Sequence, residues 1–313
     1  MITNFAMPLF SALKYLSFMI PSMIFGVIGI NLIIALGWLE RLSCLARPVV
    51  YLGHLKSECG LSFIAAFGSP TAANAMLMEF YQKKAIDKKE LLIACLADSF
   101  PAIVMHSYSM LPILIPLLGP VGIVYFLILV MAGFIKTTLV LTVGHFTLPR
   151  PQDRFIFDRQ RGLPLKQALI ESIRRSRPMF KRILLVTIPI TIITFYLIHL
   201  EFFDYLGGWL YPVSHLLPLS PQAIPIVAAQ FGGPLPAYTL ASNLLVNHVL
   251  TGKEVVLALL LGTVLTSIVG LRYLIPYYWG IFGPRLGTQI MLISMGIRQT
   301  LIILMAIVVY YWP

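Results

Sequence analysis

Asp98 is the residue best placed to do chemistry. It stands in LADSFPAIV, nine residues past Lys89, in a stretch that is otherwise apolar. At 1.5 Å of rise per residue, that is about 13 Å into a helix. A carboxylate so far into apolar surroundings needs a partner or a job. Ser99 offers a hydroxyl beside it, and Pro101 leaves one backbone carbonyl without its helical donor. The group reads as a ligand set for a coupling ion or polar solute, and equally as half of a structural pair with Arg298 or Lys136. The matching stretch 164 residues on holds Gly262, Thr263, Thr266 and Ser267, neutral groups that would complete one site from the other half of the chain. Arg298, followed by Gln299 and Thr300, lies thirteen residues beyond Arg285 and too deep to reach out to water. It either forms an ion pair, the stronger reading, or holds an anionic or acidic solute. Lys136 is nearer a helix end and is expected to extend its ammonium to the membrane surface.

Two further groups surround Gly-Pro breaks. Gly68-Ser69-Pro70 is followed by Thr71 and Asn74, and Gly232-Gly233-Pro234 is preceded by Gln230 and followed by Asn243. These polar side chains could hydrogen-bond a solute such as a base or ribose, or equally cap half-helices and bond across a packing interface. Glu79 reads as a solvated or paired surface charge. His106, His145, His215 and His248 read as packing groups near helix ends. Catalytic motifs are missing: the chain holds no HExxH and no GxSxG, so no enzyme is expected, and no cofactor. Cys44, Cys59 and Cys95 form no CxxC and have no neighbouring His, so they read as buried reduced thiols, and whether any metal binds stays open.

The elements that position these residues must lie in lipid. Apolar residues make up 58% of the 313 and charged ones only 11%, too little polar surface to cover a water-soluble domain. Apolar runs of roughly 20 residues, enough to cross about 30 Å of hydrocarbon, recur along the whole chain. The net charge of +11 sits in short basic blocks between these runs. That pattern fits loops facing an anionic cytoplasmic leaflet and argues against nucleic acid as a partner. The opening MITNFAMPLFSALKYLSF lacks a basic n-region and a small-residue cleavage site, so it reads as the approach to a first helix and not as a removable signal.

The chain also repeats itself. Residues 67–120 align without gaps on 231–284, an offset of 164, with eleven of 54 positions identical. The shared residues include Phe67, Gly68 and Pro70 with Phe231, Gly232 and Pro234, Lys89-Glu90 with Lys253-Glu254, Pro112 with Pro276, and Gly119-Pro120 with Gly283-Pro284. Leu matches mean little in so apolar a chain, but Gly and Pro at fixed spacing dictate backbone shape. The first half predicts helices over about 10–36, 89–106 and 120–146, an amphipathic stretch at 39–55, and a Pro-rich apolar connection between the last two helices. The second predicts helices near 183–200, 254–270 and 285–311. Three regions follow: a first repeat at 1–148, a basic cytoplasmic linker at 149–182, and a second repeat at 183–313. The linker carries ten Arg and Lys, and part of it reads as a surface helix.

Charge distribution bears on whether the Gly-Pro segments cross the bilayer. If residues 60–82 and 222–249 enter and return as hairpins, with both termini outside, nineteen basic residues face the cytoplasm and two face outward. The best eight-span alternative gives sixteen and five, so the positive-inside rule favours hairpins. Arms of about ten residues reach about 15 Å, the bilayer midplane. The expected architecture is therefore an all-α polytopic membrane protein of two inverted structural repeats, each with three spanning helices, an interfacial helix and a re-entrant helical hairpin. Such repeats, with broken elements meeting at the midplane, are common in secondary transporters.

The duplicated FG(S/G)P segment, the (K/G)KE helix start after it and the IFGPRLG stretch at 281–287 resemble the Gate, or nucleoside-recognition, domain family over nearly the whole chain. That family includes the membrane parts of ferrous-iron transporters, relatives of concentrative nucleoside transporters, and spore-maturation membrane proteins. The resemblance implies fold and membrane location more firmly than substrate. No GxxxxGK(S/T) loop occurs, so the GTPase domain of the iron-transporting members is missing from this sequence. Kinship with iron transporters raises a transition-metal path of Met, His and Cys, which the scattered Cys disfavour. The leading expectation is a secondary-type transporter in the cell membrane for a nucleoside-like solute or an ion, with the lipid bilayer as its surroundings and a homo-oligomer as one admissible assembly. The alternative is a membrane scaffold or assembly subunit without transport activity.

Overall fold

The computed structural model describes residues 6–14, several positions between 16 and 36, and residues 46–150, 164–200 and 219–312. The expected first span at 10–36 therefore lies largely outside the described residues, as do residues 151–163 of the linker and 201–218 of the second half.

The described chain is helical. The first half holds α1 (Ala46–Gly53), α2 (Ser57–Gly68), α3 (Pro70–Gln82), α4 (Lys88–Ala97) and α5 (Ser99–Thr147). The second half holds α6 (Leu165–His199), α7 (Ile224–Gln230), α8 (Pro234–Val246), α9 (Gly252–Phe282) and α10 (Pro284–Tyr311). Among the described residues, three runs are long and apolar enough to cross a membrane: Lys88–Thr147, Gly252–Leu271 and Pro284–Tyr311. Their outward faces are apolar too. Leu127, Met131, Phe134, Leu139 and Val143 on α5, and Leu292, Leu304 and Val308 on α10, all stand exposed. Water would penalise such surfaces and hydrocarbon does not, so this is an all-α, membrane-associated protein.

Local sequence accounts for the breaks. Asp87 caps α4 through a reciprocal box, accepting from the Glu90 amide at 2.8 Å while the Glu90 carboxylate accepts from the Asp87 amide at 2.8 Å. Thr251 and Glu254 build the same box at the start of α9. Gly119 (φ 54°) and Gly283 (φ 75°) each turn the chain in the left-handed region, and Pro120 and Pro284 follow them directly. Lys84 and His248 also share a positive φ, 57° and 56°. Each of these landmarks recurs at the 164-residue spacing seen in the sequence.

Both Gly-Pro segments form broken helix pairs. α2 and α3 pack together around Gly68-Ser69-Pro70, and Ser62 Oγ of α2 donates to the Ala73 carbonyl of α3 at 3.3 Å. α7 and α8 do the same around Gly232-Gly233-Pro234, with Gly233 at φ 124°. At 12, 13, 7 and 13 residues, no arm reaches the roughly 20 needed to span hydrocarbon.

Three expectations need correcting. The Pro-rich stretch at 107–118 is helical up to the turn at Gly119, with Pro112 and Pro116 inside α5. A chain in an apolar medium must satisfy its remaining backbone groups internally, and helix does so even around an occasional Pro. The helix expected at 89–106 is interrupted at Asp98, whose ψ of 1° ends α4 before α5 begins. The helix expected at 183–200 starts at Leu165, so the basic segment and the apolar one form a single 35-residue α6.

Two buried apolar clusters divide the interior. One joins α7, α8 and α9 to Leu114, Leu117, Leu118 and Tyr125 of α5. The other joins α1 to α4 with Val140 and Leu141 of α5, and with Phe282 and Ile290 from the second half. α5 thus runs through both, and the polar residues lie where it meets α9 and α10.

Candidate functional site

The site is built around the α4–α5 break. Pro101 cannot donate to the Ala97 carbonyl four residues back, and the buried Thr137 hydroxyl takes that carbonyl instead at 2.8 Å. The same hydroxyl accepts from the Phe100 amide at 3.3 Å. The freed carbonyl is therefore occupied, and it is no ligand as the sequence suggested. Phe100 stacks edge to face with Phe67 of α2 and with Phe134 of α5, which ties the first hairpin to the break.

Asp98 sits in that break, 5% exposed. Its Oδ2 accepts from Ser62 Oγ of the first hairpin at 3.0 Å, while its Oδ1 is buried with no hydrogen-bond partner. Among the described residues no ion pair joins Asp98 to Arg298 or Lys136, whereas Lys83 pairs with Glu79. Glu79 is the paired surface charge expected of it.

Asp98 opens onto a cavity of about 630 Å³ between the first hairpin, α5, α9 and α10. Thr71, Asn74, Ser99, Lys136 and Arg298 also line it, with Tyr277 and Tyr278 of α9. A second cavity of about 250 Å³ adjoins it along Leu274, Tyr278, Ser294 and Arg298, and Thr263, Thr266 and Ser267 line this one. Asp98 and the Thr263 group thus line two adjoining cavities and not the one site that the sequence suggested. The hydroxyls of Thr263, Thr266 and Ser267 each bond a carbonyl of their own helix, and Thr263 also bonds Tyr125 at 3.1 Å.

Other sequence-derived candidates stand apart. Gly68, Ser69, Gln230, Gly232 and Gly233 line neither cavity. Gln230 donates to the Leu259 carbonyl at 3.0 Å, lying so close over Gly262 that a Cβ there would meet its amide at 2.6 Å. It locks α7 to α9. Asn74 is engaged on both sides, donating to the Tyr277 hydroxyl at 2.9 Å and accepting from Cys95 Sγ at 3.0 Å.

Lys136 is a correction. It is 4% exposed and does not reach the membrane surface; its Nζ donates to the Ser294 hydroxyl at 2.6 Å and the Ser294 carbonyl at 3.1 Å. Burial is tolerated because α10 supplies both acceptors. His106 is another, since it lies well inside α5 and lines the larger cavity. His145 packs near the end of α5, its ring 4.1 Å from that of His54. His215 lies outside the described residues. Ser62, Thr137 and Ser294 were missed as site residues. Ser62, a polar group in the apolar arm LSFIAAF, carried the only local signal; the other two earn their roles through partners far away in sequence. Among the described residues no three His, Cys, Asp or Glu side chains come together as a metal site would require.

Three relatives match most of the chain. The sequence is 35% identical over 299 residues to the uncharacterized protein MJ1556 of Methanocaldococcus jannaschii, covering 94% of each chain. The chain belongs to that protein's family. Two other uncharacterized proteins of the same organism are similar as well: MJ0871, 26% identical over 87% of this chain and 86% of its own, and MJ0880, 24% identical over 94% and 96%. No family model matches the sequence. No solved structure matches it either.

Proposed function

We propose that this protein is a secondary-type membrane transporter whose two halves, inverted with respect to each other, enclose a midplane site for a small polar solute or ion and expose it alternately to each side. The observation that carries the reading is Asp98: a buried carboxylate with one oxygen unpartnered, on the wall of a cavity lined by both halves of the chain. A buried polar atom without a partner costs about 1–3 kcal/mol, and a solute or coupling ion that takes up the vacant lone pair recovers that cost on binding. The broken helix pairs α2–α3 and α7–α8 serve as re-entrant hairpins in this reading, and the resemblance to Gate-type proteins agrees with it. Both termini lie outside the cell membrane and the basic stretch between α5 and α6 is cytoplasmic.

A ligand that binds only the folded state raises its stability, so the test is thermal unfolding of the detergent-purified protein against nucleosides, nucleobases, Na⁺, protons and divalent metals. A compound that raises the midpoint for the native chain and not for Asp98→Asn supports transport. No shift with any solute, together with a protein that co-purifies, would point to a scaffold instead.

A further inference from the structure

We infer that the basic first half of α6 is a docking surface for anionic lipid: Leu165, Leu169 and Ile173 sit in the acyl boundary of the leaflet, and Lys166, Arg174 and Arg177 meet its headgroup phosphates. This goes beyond the transport reading and needs only a membrane-associated chain. Which side of the membrane that leaflet faces follows from the topology proposed above.

Length comes first. The 35 residues of α6 run for about 52 Å, against about 30 Å of hydrocarbon. One end must leave the hydrocarbon or run along its boundary. Charge decides which end: Lys166, Arg174 and Arg177 stand exposed in the first half, whereas residues 183–200 hold no Lys, Arg, Asp or Glu.

Packing then fixes the rotation of this half. Ala168 and Ser172, one turn apart, are fully buried against the rest of the protein. The row beside them, Leu165, Leu169 and Ile173, is exposed. The next row holds Lys166, Ile170 and Arg174, with Arg177 one turn further on, all exposed. Glu171 lies half-buried on the other side of the buried row, away from these cations.

The two exposed rows ask for different surroundings. Leu165 is 67% exposed and Ile170 62%, an arrangement that water penalises and that the buried row prevents from turning inward. A solvated charged face leaves that apolar row unexplained, and a nucleic acid would answer the cations while offering Leu and Ile no apolar contact. A leaflet boundary answers both. Hydrocarbon takes the apolar row, and the long basic side chains bend up from it to the phosphates. Each cation near an anionic leaflet adds to the attraction, so lipids with net negative charge are preferred over zwitterionic ones.

The test uses the full chain with its three native Cys replaced, in nanodiscs of phosphatidylcholine with phosphatidylglycerol, spin-labelled at Leu169→Cys or Gln167→Cys. The label at 169 should be reached by oxygen and shielded from a water-soluble nickel chelate, and the label at 167 should show the reverse. Alongside, native mass spectrometry of the detergent-purified native chain should show phosphatidylglycerol bound in preference to phosphatidylcholine. The double variant Arg174→Gln, Arg177→Gln should weaken phosphatidylglycerol binding about tenfold or more. If that variant does not fold, loss of the preference in high salt with the native chain decides in its place. Nickel access at 169 equal to that at 167 would put the row in water and overturn the inference. Shielding of 169 from both reagents would mean that protein covers it, a second copy or another chain, and would overturn the inference too. A label in lipid without any preference for phosphatidylglycerol overturns the anionic assignment.

Discussion

At the scale of single residues, hydrogen bonds to the α4–α5 break hold the site in place. Ser62 is the one group donating to Asp98, and removing it strands a second buried carboxylate oxygen. Ser62→Ala should therefore destabilise the protein by about 1–3 kcal/mol, read from its unfolding midpoint. Asp98→Asn should instead leave the midpoint close to that of the native chain, because the amide oxygen still accepts from Ser62 and a buried charge disappears. A fall as large as that of Ser62→Ala would mean that the Asp98 charge itself stabilises the fold. Thr137 serves two backbone groups at once, the Ala97 carbonyl and the Phe100 amide. Thr137→Val, close in shape but without the hydroxyl, should cost about 1–3 kcal/mol, and Thr137→Ser should restore most of it. If Val and Ser behave alike, Thr137 acts through packing and not through the break.

At the scale of elements, the long apolar helices are divided at defined points. Gly119, at φ 54° and ψ −131°, breaks α5 into two helical parts, and Gly283 separates α9 from α10. Nothing crowds either Cα, so a substitution there meets only backbone strain. Gly119→Ala and Gly283→Ala should each lower stability by about 1–3 kcal/mol. The readout is the unfolding midpoint, and an unchanged value would show that the turns relax to ordinary geometry at no cost. Gly262 is held to its size from outside: an added methyl drives into Gln230, which must then give up the Leu259 carbonyl.

At the scale of the whole molecule, the inverted arrangement proposed above predicts sidedness. Lys84 and His248 occupy equivalent turns 164 residues apart, both exposed and both at positive φ. Inversion places them on opposite faces of the membrane. In a chain whose three native Cys are replaced, Lys84→Cys should react with an impermeant maleimide only from the cytoplasmic side and His248→Cys only from outside. Labelling of both from one side would rule the inverted topology out and favour eight spans.

The amino-acid sequence alone determined whatever depends on neighbours along the chain or on totals. Membrane residence follows from apolar content, the hairpin breaks and capped starts from Gly, Pro, Asp and Glu at fixed spacing, and the depth of Asp98 from a lone carboxylate in an apolar run. It erred where an element outlasted its local signal, as at Pro112 and Pro116, because solvent enforces helix more strongly than one missing donor opposes it. Tertiary structure alone decided which groups meet. Ser62 reaches Asp98 across 36 residues and Lys136 reaches Ser294 across 158, and no periodicity along a helix encodes either encounter. It also decided that Gln230 is a bolt between helices and that Arg298 fronts two cavities without an ion pair. Whether a polar group in a membrane is satisfied or left available depends on the acceptor or donor opposite it, and that is set only when the helices pack.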